Sequence, residues 1–442
     1  MRVVVVGAGI GGLSAARRLR QRGVEVSVLD ASHRIGGRLM RQQVAGCDVD
    51  GGGAWVGPTQ DRIQSLLREL GLSTAPTYDS GRHLFRFGGR LRSRRGSIPA
   101  LPVRALVDLA LAQYRLDRLA RRLPAHPTAA LARSLDALSV GEWADRNLRT
   151  PAARGVLEIA VGANFGCELE QMSLLALATH IRGAGGLAQL TGVRGGAQDA
   201  RIIGGAFGVC EHLAADLQGP VLLESPVRRI AQAEEGVRVE LDDGALEADR
   251  VVVAVDPSSA AAIDFGGALG SRRARFHDDF VMGSGIKFHI AYEAPFWRRR
   301  GLSGQYLADD GFLRLTFDAT PPGSGVGILV GFLGEAVNGP DPLLAPGNGA
   351  ARAAAVGREI ETAFGPGPEP LDYVEQDWRA EPFLQGCVPA LPPGVLSASG
   401  DDLHAPVGRI HFAGAERSDV WEGHMDGAVR SGERVTEEIL SA

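Results

Sequence analysis

Val3-Val4-Val5-Val6-Gly7-Ala8-Gly9-Ile10-Gly11-Gly12-Leu13, followed eighteen residues after Gly12 by Asp30 (30 minus 12), is the stretch that decides the fold. Four consecutive valines suit a parallel strand covered on both faces. Leu13, Ala16 and Leu19 then recur at helical spacing until Gly23, and Val24, Val26 and Val28 alternate as a second strand ending at Asp30. Between strand and helix lies GxGxxG. Gly7 makes the turn, Gly9 lets the backbone approach a pyrophosphate, and Gly11-Gly12 pack helix on strand. The helix N-terminus adds positive potential, and Asp30 stands where a carboxylate accepts ribose hydroxyls. The spacing predicts a dinucleotide-binding unit. The same glycines interrupt what could otherwise pass for the apolar part of a signal peptide.

Working outward, a chain of 442 residues predicts two or three domains, and 45% hydrophobic with 22% charged residues predicts a packed globular protein. A net charge of -5 gives no reason to expect a nucleic-acid or anionic-membrane partner, and no apolar run approaches the roughly 20 residues of a membrane span. Cys47, Cys167, Cys210 and Cys387 are scattered without CxxC pairing, which predicts neither a metal site nor a disulfide framework and fits a reducing cytoplasm.

Residues 101–190 read as mostly helical, with breaks near Pro124, Pro127 and Pro151. Strands follow at Val227 to Ile230, Val237 to Leu241 and Val251 to Val255, with Asp243-Gly244 as a hairpin turn between the last two. A β-rich stretch from Met282 to Gly331 precedes a Pro/Gly-rich loop, a helix around Ala350 to Phe364, a strand from Arg409 to Ala413 and a last helix. Glycine-rich nucleotide features at both ends predict an α/β (α+β overall) chain: a discontinuous Rossmann-type dinucleotide domain with an inserted sheet-plus-helices substrate domain. The divisions are 1–79, 202–280 and 386–442 for the former, 80–201 (mostly helical) and 281–385 (β-rich) for the latter.

Two further segments point to FAD rather than NAD. Arg34-Ile35-Gly36-Gly37-Arg38 follows the second strand, where a basic residue among glycines reaches the same phosphates. Asp50-Gly51-Gly52-Gly53-Ala54-Trp55 is a second glycine turn on which a flat ring can lie. Near the other end, His411-Phe412-Ala413-Gly414-Ala415-Glu416 leads to a helix starting near Met425, whose dipole and free N–H groups would stabilise an anionic reduced flavin. One skew stands apart: of 47 basic residues only Lys287 is a lysine. Arginine serves as well as lysine on a surface, but only lysine is a compact donor whose pKa falls readily on burial.

These motifs resemble the flavin-containing amine oxidases: the bacterial flavin monoamine oxidases and, more distantly, monoamine oxidase and the polyamine oxidases. The resemblance covers nearly the whole chain. It rests on GAGIGGLSAA with Asp30, RIGGR, DGGGAWVGPTQDRI, QMSLLALATHIRGAGG, GSGIKFHIAYEAPFWR, LPPGVL, and HFAGAE with WEGHMDGAVRSGE. It implies an amine substrate oxidised to an imine, then an aldehyde or ketone, with O2 reduced to H2O2. Lys287 would hold a water at the flavin and assist its reaction with oxygen, with Trp378 beside it. Glu416 would bind the ribityl chain, Met425 the flavin carbonyl through its backbone, and Val227 the adenine. Homodimerisation is left open. A desaturase, dehydrogenase or amino-acid oxidase of the same superfamily is the alternative reading, and a non-enzymatic flavin-binding module a remote one.

The departures concern the substrate. Where the family has a WSGYM-type motif this chain has WEGHM, so His424 replaces one of two aromatics that flank the amine. Cys387-Val388 stands where the other follows the cysteine, and Thr179-His180 where the SLL helix commonly carries an aromatic pair. A more polar pocket is expected, the substrate bearing a hydroxyl, carboxylate or second nitrogen near His424 or His180. Either histidine could instead be structural. Cys387 matches the position where some relatives attach FAD covalently, but its loop is one residue shorter, and non-covalent FAD is expected.

Overall fold

A computed structural model describes the chain apart from residues 125–126, 218, 335–340, 400–402 and 442. Part of the Pro/Gly-rich stretch after Gly331 therefore lies outside the described residues. The valine run forms the strand Arg2–Val6 at the centre of a five-stranded sheet, in the order Val221–Leu222, Glu25–Leu29, Arg2–Val6, Arg250–Val253, Ile410–Phe412. All four pairings are parallel. A parallel sheet must be covered on both faces. Here helices Ile10–Gln21, Phe207–Ala215 and Met425–Ser441 cover one, and an antiparallel meander, Val227–Gln232, Val237–Leu241 and Gly244–Ala248, the other. Met425, Ala428, Val429, Val435, Thr436 and Ile439, one face of the last helix, are buried.

The meander corrects one reading. Asp243-Gly244 does turn a hairpin, but its second arm is Gly244–Ala248, and Arg250–Val253 leaves to join the parallel sheet. Gly244-Ala-Leu-Glu-Ala is too weakly β-branched to show in sequence.

The second sheet has seven strands, in the order Asp372–Asp377, Ile286–Tyr292, Gly327–Leu333, Leu315–Asp318, Leu302–Ala308, Arg82–Phe87, Arg90–Arg94. Two of them come from the stretch read as mostly helical, and Arg82–Phe87 pairs in parallel with Leu302–Ala308. Ile286, Phe288, Ile290 and Tyr292 pack against helix Gly349–Phe364, so the period-two alternation turns Lys287 and His289 to the other face. Helices Val103–Arg122, Pro151–Phe165 and Leu174–Ala184 form a separate apolar cluster. Pro151 starts its helix rather than breaking one, since the first position needs no N–H. Between these layers runs one continuous cavity of about 1760 Å³, lined by both sheets and by the first two of these helices.

Candidate active site

At the nucleotide end, three glycines of the turn serve different ends. Gly7 has φ +108°, and a Cβ there would lie 2.7 Å from the Ala254 carbonyl oxygen. At Gly12 a Cβ would lie 2.0 Å from the Gly7 oxygen, so helix and strand could not close. Gly9 differs. Its φ of -76° suits any residue, and nothing comes nearer than 4.0 Å to its Cβ position, yet it lines the cavity. A side chain at Gly9 fits the protein and fills only ligand space. Gly11 also lines the cavity, backed by Gly414 and Ala428.

Around this turn, Asp30 accepts the Ala8 N–H at 2.6 Å and the Ser32 N–H at 2.8 Å, leaving lone pairs on both oxygens; burial pushes its carboxyl pKa up. Arg34 turns to Glu381 (2.6 Å) and to the Gly37 carbonyl (2.8 Å). Arg38 pairs with Glu416 at 2.6 Å and donates to the Cys387 carbonyl at 3.0 Å. The buried Glu416 keeps Oε2 without a hydrogen-bond partner among the described residues, beside Gly414. Gly37, Gly53, Ala54, Val227, Gly414 and Met425 line the same cavity, Met425 as the first residue of the last helix. A glycine that makes room only for a ligand, and a buried carboxylate with one oxygen lacking a donor, fit FAD.

Lys287 and Trp378 meet at the second glycine turn. Lys287 Nζ donates to the Gly52 carbonyl at 2.7 Å and sits 5.1 Å from the centre of the Trp55 ring. Trp378 Nε1 donates to the neighbouring Gly51 carbonyl at 3.2 Å. Burial outweighs the attraction of Asp50 and brings the lysine down to about 7, so its neutral form is accessible near neutral pH.

The WEGHM turn contributes to the same cavity. His424 lines the cavity, its ring edge-on to Trp421 at 5.1 Å, and its Nδ1 lies 2.8 Å from the Glu422 carbonyl. Desolvation moves its pKa below the ordinary histidine value. Val388 is adjacent, since a Cβ on Gly423 would come within 3.2 Å of its side chain. Cys387 also lines the cavity, its thiol donating to the Gly283 carbonyl at 3.3 Å. Thr179 and His180 do not line it. His180 is buried against Phe165 at 4.7 Å and lies 3.9 Å from the Glu422 carboxylate. Burial takes this histidine down to about 3, while burial and the nearby Glu416 and Asp419 push Glu422 up to about 8.

Sequence reasoning missed the far wall. Gln113, Asn164, Gln198, Gln305 and Arg314 line the cavity, together with Phe317 and Phe332, which flank Trp55. Gln113 and Gln305 make no side-chain hydrogen bond among the described residues. Only the inward phase of a strand or helix already placed could have singled them out.

The sequence profile described as flavin containing amine oxidoreductase matches residues 10–440. The flavin-containing monoamine oxidase AofH of Mycobacterium tuberculosis is 40% identical, over 99% of this chain and 96% of its own. Wild-type putrescine oxidase bound to putrescine superposes with TM-score 0.91 at 30% identity, covering both chains fully. Cyclohexylamine oxidase from Brevibacterium oxydans superposes with TM-score 0.92 at 31% identity, over all of this chain and 98% of its own.

Proposed function

The chain belongs to the flavin-containing amine oxidoreductases, and from that membership we propose that it oxidises an amine carrying a second polar group. FAD supplies the two-electron acceptor and O2 its reoxidation; the protein supplies position and exclusion of water. Gly9, Asp30, Glu416 and the start of the last helix would hold the cofactor, in the nucleotide domain formed by 1–79, 202–280 and 386–442. Lys287 is the donor for the oxygen half-reaction, fixed by the Gly52 carbonyl, with Trp378 closing that side. FAD is held non-covalently, and the protein works in the cytoplasm.

The observation that carries the substrate reading is the far wall. Gln113 and Gln305 are hydrogen-bonding groups that a purely arylalkyl amine would leave without a partner, at a cost of about 1–3 kcal/mol each. The guanidinium of Arg314 also favours a second reading, an amino-acid substrate whose carboxylate it would face. An aerobic peroxide screen over putrescine, amino alcohols, amino acids and amino sugars, with anaerobic flavin bleaching in parallel, tests both. Polar amines should exceed phenylethylamine and cyclohexylamine at least about tenfold in kcat/KM. Preference for phenylethylamine or cyclohexylamine ends the polar reading, and amino acids ranking first establishes the second.

A further inference from the structure

We propose that His424 selects amines that keep an N–H on the reacting nitrogen, so that primary and secondary amines are substrates and tertiary amines are refused. The inference rests on the amine-oxidising reading of this cavity and names the nitrogen class it takes. A carbonyl oxygen can only accept, so the 2.8 Å contact to Glu422 makes Nδ1 the ring's donor. In neutral imidazole Nε2 is then a bare acceptor. It has no hydrogen-bond partner among the described residues, and the ring lines the cavity next to Val388.

Neutrality follows from the surroundings. Burial lowers the pKa of His424, and the neighbouring His180, from the helix behind, is itself pushed down to about 3 and adds no proton to the pair. Nearest to it stand Glu422 in the same turn and His180, whose Nδ1 lies 3.9 Å from the Glu422 carboxylate; Cys387 and Lys287 line the same cavity. An acceptor without a donor cannot satisfy a neutral tertiary amine, which offers only a lone pair. The two lone pairs would face each other and Nε2 would stay unpaired. A primary or secondary amine donates its N–H to Nε2 and leaves its own lone pair directed elsewhere, which is the pair that must drive loss of the α-hydrogen. An aromatic ring at this position imposes no such rule, because a ring face accepts any alkylated nitrogen.

The test uses the holoenzyme and three levels of N-methylation of one parent: benzylamine, N-methylbenzylamine and N,N-dimethylbenzylamine, with the same sets built on cyclohexylamine and putrescine. Flavin reduction is followed anaerobically near pH 9.5, where about a quarter of an alkylamine titrating near pH 10 is unprotonated. The first methyl should cost little and the second about 10- to 100-fold. His424→Phe and His424→Leu, both lacking the acceptor, should shrink the secondary-to-tertiary ratio by about the same factor while still binding FAD. A wild type that reduces equally with tertiary amines, or variants that keep the wild-type ratio, overturns the assignment. Failure of all three primary parents and of every amine in the peroxide screen to bleach the flavin overturns the amine reading beneath it. A faster cyclohexylamine than putrescine overturns only the polar-substrate reading.

Discussion

The two ends of the cavity are built from different material. At the nucleotide end the cavity wall is mostly backbone: the glycine turns, the Gly51-Gly52 turn whose carbonyls Trp378 and Lys287 hold, and the start of the last helix. At the other end the wall is side chains: His424, Val388, Gln113, Gln305, Arg314, Phe317 and Phe332. Backbone recognition needs particular residues at particular spacings, because only glycine lets the chain come so close. Side-chain recognition can be rewritten one residue at a time on an unchanged frame. The first kind of site defines a family, and the second distinguishes its members.

The largest expected effect breaks the comparison inside the first region. Gly9→Val should fold and lose essentially all FAD, because its side chain enters only the ligand space. Gly12→Val should fail to fold, since its Cβ would sit 2.0 Å from the Gly7 oxygen. Flavin absorbance and far-UV circular dichroism of the purified variants separate these outcomes. A Gly9→Val protein that stays yellow would show that the ligand does not approach this glycine.

Next in size is Lys287→Met, at the border between the regions. Loss of one preorganised donor should slow reoxidation by oxygen about 10²- to 10³-fold and leave reduction by amine within a few-fold. Stopped-flow separation of the half-reactions decides it, and unchanged reoxidation would leave Lys287 with a structural role only. The same variant carries a smaller stability effect. The folded-state pKa is lowered from 10.5 to about 7, so between these values the unfolded chain holds more protons and wild-type stability rises with pH. Lys287→Met should flatten that slope by at most about 1.4 kcal/mol per pH unit. Denaturant midpoints of the two proteins between pH 7 and 10 measure it, and parallel slopes would mean that the lysine is charged in the native state.

Legibility in the sequence follows the same divide. The valine run, the glycines and Asp30 could be placed because periodicity and spacing are local, and the lone lysine stood out through composition. His424 and Val388 were found only because a family motif framed them. Gln113 and Gln305 gave no signal: each faces the cavity because of helix phase or strand register, and the parallel pairing of Arg82–Phe87 with Leu302–Ala308 joins residues more than two hundred positions apart. Gly244–Ala248 was missed for the opposite reason, its local composition being too weak while its partner strand dictated its structure.

The smallest expected effect concerns Cys387, which lies where the two regions meet. A covalent flavin link would make this a side-chain anchor at the cofactor end and blur the comparison. The structure shows a thiol used as a donor, to the Gly283 carbonyl at 3.3 Å, and burial pushes its pKa up to about 11 despite the nearby Arg38. The thiolate is the reactive form, and at neutral pH it would be on the order of one molecule in ten thousand. Removing the sulfur also strands no partner, because the Gly283 carbonyl still accepts the Cys387 backbone N–H at 3.0 Å. Cys387→Ala should therefore keep full flavin content and lose no more than about 1 kcal/mol of stability. Acid precipitation of the wild type should leave the colour in the supernatant. A yellow wild-type pellet that turns colourless in Cys387→Ala would prove the bond, and the cofactor site would then be fixed by a side chain as well as by backbone.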